Sequence, residues 1–325
     1  MKKRALIFGI TGQDGSYLAE LLLQKKYEVH GLVRRSATGN TKNIDHLTDK
    51  VVIHRGDLAD TTSLYRVIND AKPDEIYNEA DQDHVSWSYD SVDYSCDITG
   101  AAVARILEII KQINPNIKFF QPLSSNIFGK AVESPQNENT PFNPQSPYAA
   151  AKVFAYVICK YYREVFNIKV STGIFYNHES ERRTEEYVTR KITRAVAKIS
   201  LGLQDKLYLG NLDTKIDFGY APEYMKAAWE IMQLDYCDDF IISTGEAHTV
   251  KEFVDEAFAI VDLNPDDYVK FDPRFARPSD TSLLVGDISK AKKAFGYKPK
   301  ILFRDLIKRM VENDISEMKV KEEIH

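Results

Sequence analysis

Two hydrophobic periods alternate along the first third of the chain. Short apolar runs of strand length stand at Arg4–Phe8, Tyr27–Val33, Lys50–His54, Glu75–Tyr77 and Lys118–Leu123. Between them apolar residues recur at helical spacing: Tyr17, Leu18, Leu21 and Leu22, then Leu64, Val67 and Ile68 up to Pro73, then Ala101–Ile113 up to Asn114–Pro115. Strand and helix in turn predict an α/β fold, a doubly wound parallel sheet. Gly129–Pro147 carries Pro135, Pro141, Pro144 and Pro147 among polar residues and predicts a loop. A helix is expected from Tyr148 to about Phe166 and a strand at Val170–Phe175. Beyond Asn177 the rhythm breaks into a charged stretch, Glu179–Glu186, and a helix over Val188–Leu201.

Composition narrows the class. The 325 residues are 43% hydrophobic and 28% charged, which excludes a disordered chain. No apolar run is long enough to span a bilayer. The opening Met1–Lys2–Lys3–Arg4 is followed by too short an apolar run for a signal peptide, so a cytoplasmic location is expected. A net charge of −5 argues against a nucleic-acid partner but leaves room for a small anion site. Cys96, Cys159 and Cys237 form no metal-ligand spacing and no disulfide framework.

Gly9-x-x-Gly12-x-x-Gly15 follows the first strand and opens the first helix. In that context the glycines let a pyrophosphate approach main-chain amides at a helix N-terminus, as in Rossmann-type dinucleotide sites. Gln13 and Asp14 belong to the same loop. Arg34 and Arg35 end the second strand, where a ribose is read; arginine there suits the 2′-phosphate of NADP, or stacks on adenine. Asp57 and Leu58, after the third strand, are placed to touch the adenine. The expected division is a dinucleotide-binding domain over 1–176 plus about 215–244, and a smaller α/β substrate domain over about 177–214 and 245–325.

Tyr148-x-x-x-Lys152 puts a phenol and an ammonium one helical turn apart on one face. The ammonium lowers the phenol's pKa and can hold a nicotinamide ribose. The tyrosinate then takes a proton from a sugar hydroxyl as hydride leaves the carbon. A serine upstream, Ser124 or Ser125, can hydrogen-bond the reacting oxygen.

These features resemble the extended short-chain dehydrogenases/reductases, and more narrowly the GDP-mannose 4,6-dehydratase family. The resemblance rests on Gly9–Leu18, Val33–Ser36, Ser146-Pro147-Tyr148 with Lys152, Asn177–Ser180, Val188–Ile192, Leu209–Asp213 and Arg277-Pro278. It implies that Tyr148 is the base for oxidation at C4 of a hexose, Lys152 its partner, and Ser124 a counterpart of the family's catalytic threonine. It implies GDP-sugar contacts from Ser125, Asn177, Val188, Lys191 and Arg277. It also implies a homodimer or homotetramer, with the Arg34–Ser36 loop reaching a neighbour in the tetramer.

Three departures bear on the chemistry. Asn126 stands where the family has a glutamate that serves as acid and base for losing water across C5 and C6, and an amide exchanges no proton near neutral pH. Glu79, Asp81 and Asp83 stand where the family has small or neutral residues; Asp81 and Asp83 are candidates for extra sugar contacts or for the missing base. Ile216 replaces an arginine. The expectation from sequence is therefore an NAD(P)-dependent oxidation of GDP-mannose or a GDP-manno-heptose to a 4-keto sugar, in surface polysaccharide precursor synthesis. NAD suits a net oxidation, and a second carbonyl compound would reoxidise the cofactor. The alternatives are a 4,6-dehydratase or epimerase using another base, and a non-catalytic binding subunit.

Overall fold

A computed structural model of the chain describes residues 2–37, 39–275 and 283–322. Seven strands form one sheet: β1 (Arg4–Phe8), β2 (Glu28–Val33), β3 (Val51–Arg55), β4 (Glu75–Asn78), β5 (Lys118–Ser124), β6 (Val170–Phe175) and β7 (Asp239–Ile242). Their order across the sheet is β7-β6-β5-β4-β1-β2-β3, and every ladder is parallel. Parallel strands covered on both faces need continuous apolar runs. Ala5, Leu6, Ile7 and Phe8 are accordingly all buried, as is the whole of β6.

The longer helices are α1 (Gln13–Gln24), α2 (Thr61–Ala71), α3 (Ala102–Ile113), α4 (Pro147–Phe166), α5 (Val188–Ser200), α6 (Ala221–Gln233), α7 (Val250–Ala259), α8 (Ser289–Phe295) and α9 (Phe303–Glu322). On one face Leu64 and Val67 of α2, Ile106 and Ile110 of α3, and Ala155 and Cys159 of α4 form one core. On the other face Leu18 and Leu22 of α1 pack with Met225 and Ile231 of α6. A separate cluster joins Ile192 and Val196 of α5, Phe253 and Phe258 of α7, and Leu306 and Met310 of α9. Ala291 of α8 and nearby Tyr297 return to the sheet's second core.

Chain order reverses between β1 and β4, so their connections leave on opposite faces. In such sheets a crevice opens beyond the C-terminal strand ends at that point. A second local feature serves the same crevice. The sequence period starts α3 near Ala101, yet the helix is preceded by a wide turn over Cys96–Ala101. Gly100 in that turn lets α4 come close: a Cβ there would lie 3.4 Å from the Ala151 carbonyl oxygen. Its neighbour Thr99 is thereby buried and meets Asp81.

Candidate active site

A cleft of about 630 Å³ runs along the C-terminal ends of β1, β4, β5 and β6. Its floor is the glycine loop. Gly9 has φ +77°, and a Cβ there would sit 2.5 Å from the Glu79 carbonyl oxygen and 2.8 Å from the Ala80 nitrogen. Gly15 is equally enclosed, with its Cβ position 2.3 Å from the Gly9 carbonyl oxygen. Only glycine combines a left-handed φ with such backbone contact. Gly12 is exposed at the N-cap of α1, with its own N–H on the Gly9 carbonyl at 2.9 Å. The loop thus presents an open helix N-terminus suited to a diphosphate. Gly9→Ala is expected to cost about 2–3 kcal/mol and to abolish cofactor binding; a thermal melt and a cofactor titration check both.

Polar partners hold the loop in place. Asp14 Oδ2 lies 2.9 Å from His178 Nε2. Burial opposes both charges, but each group's attraction to the other wins: the Asp14 pKa is lowered and the His178 pKa raised. Gln13 accepts from the Ser180 hydroxyl at 2.7 Å and donates to the His178 carbonyl at 3.2 Å. The charged stretch 179–186 folds back onto this loop and helix. Arg182 donates to Ser16 at 3.0 Å and lies over the Tyr17 ring.

Ser124, Tyr148 and Lys152 line the same cleft and are all buried. Ser146 caps α4 by accepting the Ala149 N–H, and Pro147 starts the helix, so Tyr148 enters the cleft in the first turn. Lys152, one turn on, donates to the Pro122 carbonyl at 2.9 Å and pairs with Asp81 at 2.6 Å. Burial opposes its charge, yet Asp81 more than offsets this and the pKa rises. The Tyr148 pKa is pushed up to about 12, chiefly by burial. Lys152 and a hydrogen bond with Ser124 pull it down, while Asp81 and Asp83 push it up. Asn126 donates to Ser124 Oγ at 3.0 Å from its side chain and at 3.2 Å from its backbone. Ser125 is buried beside it in the cleft wall.

The three acids after β4 have three different environments. Asp81 is held by Lys152 and by the Thr99 hydroxyl at 2.5 Å. Asp83 is exposed, and its charge acts on the nearby Tyr187 and Arg183. Glu79 keeps one buried carboxyl oxygen with no hydrogen-bond partner. Burial, and Asp14 beyond it, hold its pKa well above the usual carboxylate range. Asp81→Asn removes a negative charge from beside Tyr148. If Tyr148 is the proton acceptor, the rising, acidic limb of the pH–rate profile for C4 oxidation is expected to move to lower pH, by about one unit.

The other residues expected from sequence are more dispersed. Arg34 lines the cleft and donates to the Tyr94 hydroxyl at 2.7 Å, and the neighbouring Arg35 is exposed. Asp57 and Leu58, just after β3, and Asn177 and Ile216 also line the cleft. Val188 packs against the third cluster. Lys191 lies in a second hollow, about 280 Å³, with Arg194, Lys198, Lys206, Arg274 and Phe275. Its Nζ is 3.2 Å from the Phe275 ring centre, and burial lowers its pKa. Arg277 lies outside the described residues. Sequence reasoning passed over His178, Thr99, Arg183 and Tyr187. His178 lay inside the Asn177–Ser180 stretch that carries the resemblance, and the mixed charges of 179–186 were a further signal that this stretch had partners.

The seven-stranded sheet with a glycine turn at its switch point defines the Rossmann-like short-chain dehydrogenase/reductase fold. Among solved structures, a dTDP-glucose 4,6-dehydratase from Streptomyces venezuelae, DesIV, with NAD and TYD bound, superposes with a TM-score of 0.87 at 19% identity, covering 99% of this chain and 100% of that one. RMD from Pseudomonas aeruginosa, complexed with NADPH, gives 0.82 at 18% identity, with 97% and 100% covered. Residues 6–310 match the family described as GDP-mannose 4,6 dehydratase. GDP-mannose 4,6 dehydratase 1 of Arabidopsis thaliana is 46% identical, covering 97% of this chain and 90% of the relative. The Homo sapiens GDP-mannose 4,6 dehydratase is 44% identical, with 97% and 92% covered. The chain belongs to the GDP-mannose 4,6-dehydratase family.

Proposed function

We propose that the chain binds NAD(P) and a GDP-hexose, oxidises C4 of the sugar, and then eliminates water across C5 and C6. The observation that carries this reading is the buried Ser124–Tyr148–Lys152 group beside the glycine loop. The cradle at Gly9, Gly12 and Gly15 fits a dinucleotide diphosphate, and a nicotinamide there would supply the hydride acceptor. Tyr148 takes the C4 hydroxyl proton, Ser124 holds the oxygen, and Lys152 keeps the phenol acidic and holds a ribose. Arg34 in the cleft supports NADP; because hydride is returned internally, no recycling partner is required. The cationic hollow around Lys191 supports a place for the nucleotide's charged end.

Elimination makes the C5 proton acidic through the new ketone, and a base must take it. Asp81 is committed to Lys152 and Thr99. Asp83 is exposed next to Tyr148 and Tyr187, which supports it as that base. It takes the C5 proton and gives it to the departing C6 hydroxyl; hydride and a proton then add at C6 and C5.

One observation favours a second reading, arrest at the 4-keto sugar. The Asn126 amide is occupied in holding Ser124 and offers no exchangeable acid. In that case a second carbonyl compound or cofactor release must remove the hydride. A mass spectrum of the products from GDP-mannose and a GDP-manno-heptose, run in deuterated water, separates the two. Loss of water with deuterium uptake supports dehydration, and loss of a hydrogen pair without uptake supports arrest.

An exposed apolar band on α4, Phe154, Val157, Tyr161 and Val165, repeats along one face and supports a homodimer. Light scattering on the purified protein tests it.

A further inference from the structure

We propose that Glu79 is the charge partner of the oxidised cofactor's nicotinamide ring, so that the cleft prefers the oxidised form over the reduced one. The inference rests on the reading of the cleft as a nicotinamide site. Its own ground is the placement of one carboxyl. Glu79 lines the cleft immediately after β4, with its backbone against Gly9, and so adjoins the loop expected to hold the diphosphate. Lys152, expected to hold the nicotinamide ribose, is near enough to influence its charge. Glu79 therefore adjoins the glycine loop and lines the same cleft as Lys152.

The charges around it are otherwise accounted for. Asp14, on α1, is paired with His178. Lys152, on α4, is paired with Asp81, whose second oxygen takes the Thr99 hydroxyl. Tyr77, two residues earlier on β4, donates its hydroxyl to Glu75 at 2.8 Å. Arg183 is near Asp14 and pairs with Glu179 at 3.4 Å. Asp83 is exposed to solvent, near Tyr187. Glu79 alone among the acids after β4 has a buried carboxyl oxygen without a hydrogen bond. Burial favours the protonated form of this group, and a cation beside it would favour the carboxylate.

The oxidised nicotinamide ring carries one positive charge and the reduced ring none, while the diphosphate is common to both. A positive ring favours the carboxylate. Binding of the oxidised form then releases the Glu79 proton, and binding of the reduced form does not. By linkage, each unit of difference between the Glu79 pKa values in the two complexes gives a tenfold preference for the oxidised cofactor. The preference grows with pH as the group ionises and vanishes at low pH, where the carboxyl is neutral in both complexes. Such a bias favours the resting state needed to accept hydride.

Titration calorimetry of the full chain with oxidised and reduced cofactor, across pH and in two buffers of different ionisation enthalpy, tests this. The expected result is a preference for the oxidised form that rises with pH to about tenfold, with proton release on binding that form over the pH range where the preference rises. Glu79→Gln keeps the shape and is expected to lose both the pH dependence and the proton release. Equal pH dependence in the wild type and in Glu79→Gln overturns the proposal, and so does a wild-type preference that does not change with pH. Failure of both cofactor forms to bind the wild type overturns the nicotinamide reading itself. That outcome is distinct from binding without a Glu79 effect.

Discussion

Tyr148→Phe is expected to lower the rate of C4 oxidation by about 10²–10⁴-fold, the usual range for losing a positioned proton acceptor. Tyr148 is buried, and burial pushes its pKa up to about 12. In the proposed reaction it is the base, and Lys152 and Ser124 oppose the effect of burial on it. The ring itself fills space that phenylalanine also fills, so the fold and cofactor affinity are expected to stay unchanged. Single-turnover absorbance of the reduced nicotinamide reads the loss. An unchanged rate would remove Tyr148 from the chemistry and with it the assignment of the cleft.

The second large effect concerns the base for elimination. Asp83→Asn is expected to reduce water loss by about 10²–10⁴-fold while leaving C4 oxidation nearly intact. The two steps separate because Ser124, Tyr148 and Lys152 do not require Asp83 for their geometry. Removing a negative charge near Tyr148 also lowers the phenol's pKa slightly, which helps the first step. The variant is therefore expected to accumulate a 4-keto sugar. Adding Asn126→Glu to it returns a carboxylate at the end of β5, next to Ser124, and is expected to restore dehydration. Mass spectrometry of the product sugar follows both changes. If Asp83→Asn dehydrates as fast as the wild type, Asp83 is not the base.

Much of the sheet was legible because its strands are buried on both faces. Arg4–Phe8 and Val170–Phe175 were delimited by their apolar runs alone, and both strands have those bounds. The glycine spacing was legible because backbone contact leaves no substitute at Gly9 or Gly15. Tyr148 and Lys152 were legible because one helical turn fixes their relation. The short helices Trp87–Asp90 and Val92–Ser95 were not, since four residues give no period. The ion pair of Asp81 with Lys152 joins a loop after β4 to a helix far along the chain, and no local pattern encodes such a contact. The same holds for Asp14 with His178. Lys191 was expected in the substrate site on resemblance; it stands on α5, in the third cluster, and lines the cationic hollow proposed for the nucleotide's charged end.

The most direct test of the account follows one atom. GDP-mannose carrying deuterium at C4 is incubated with the protein and cofactor, and the product is analysed by mass spectrometry and nuclear magnetic resonance. Oxidation at C4, elimination and internal return predict a dehydrated 4-keto sugar with the deuterium at C6. Deuterium retained on the reduced cofactor, beside a 4-keto sugar that has lost no water, would contradict dehydration by this chain.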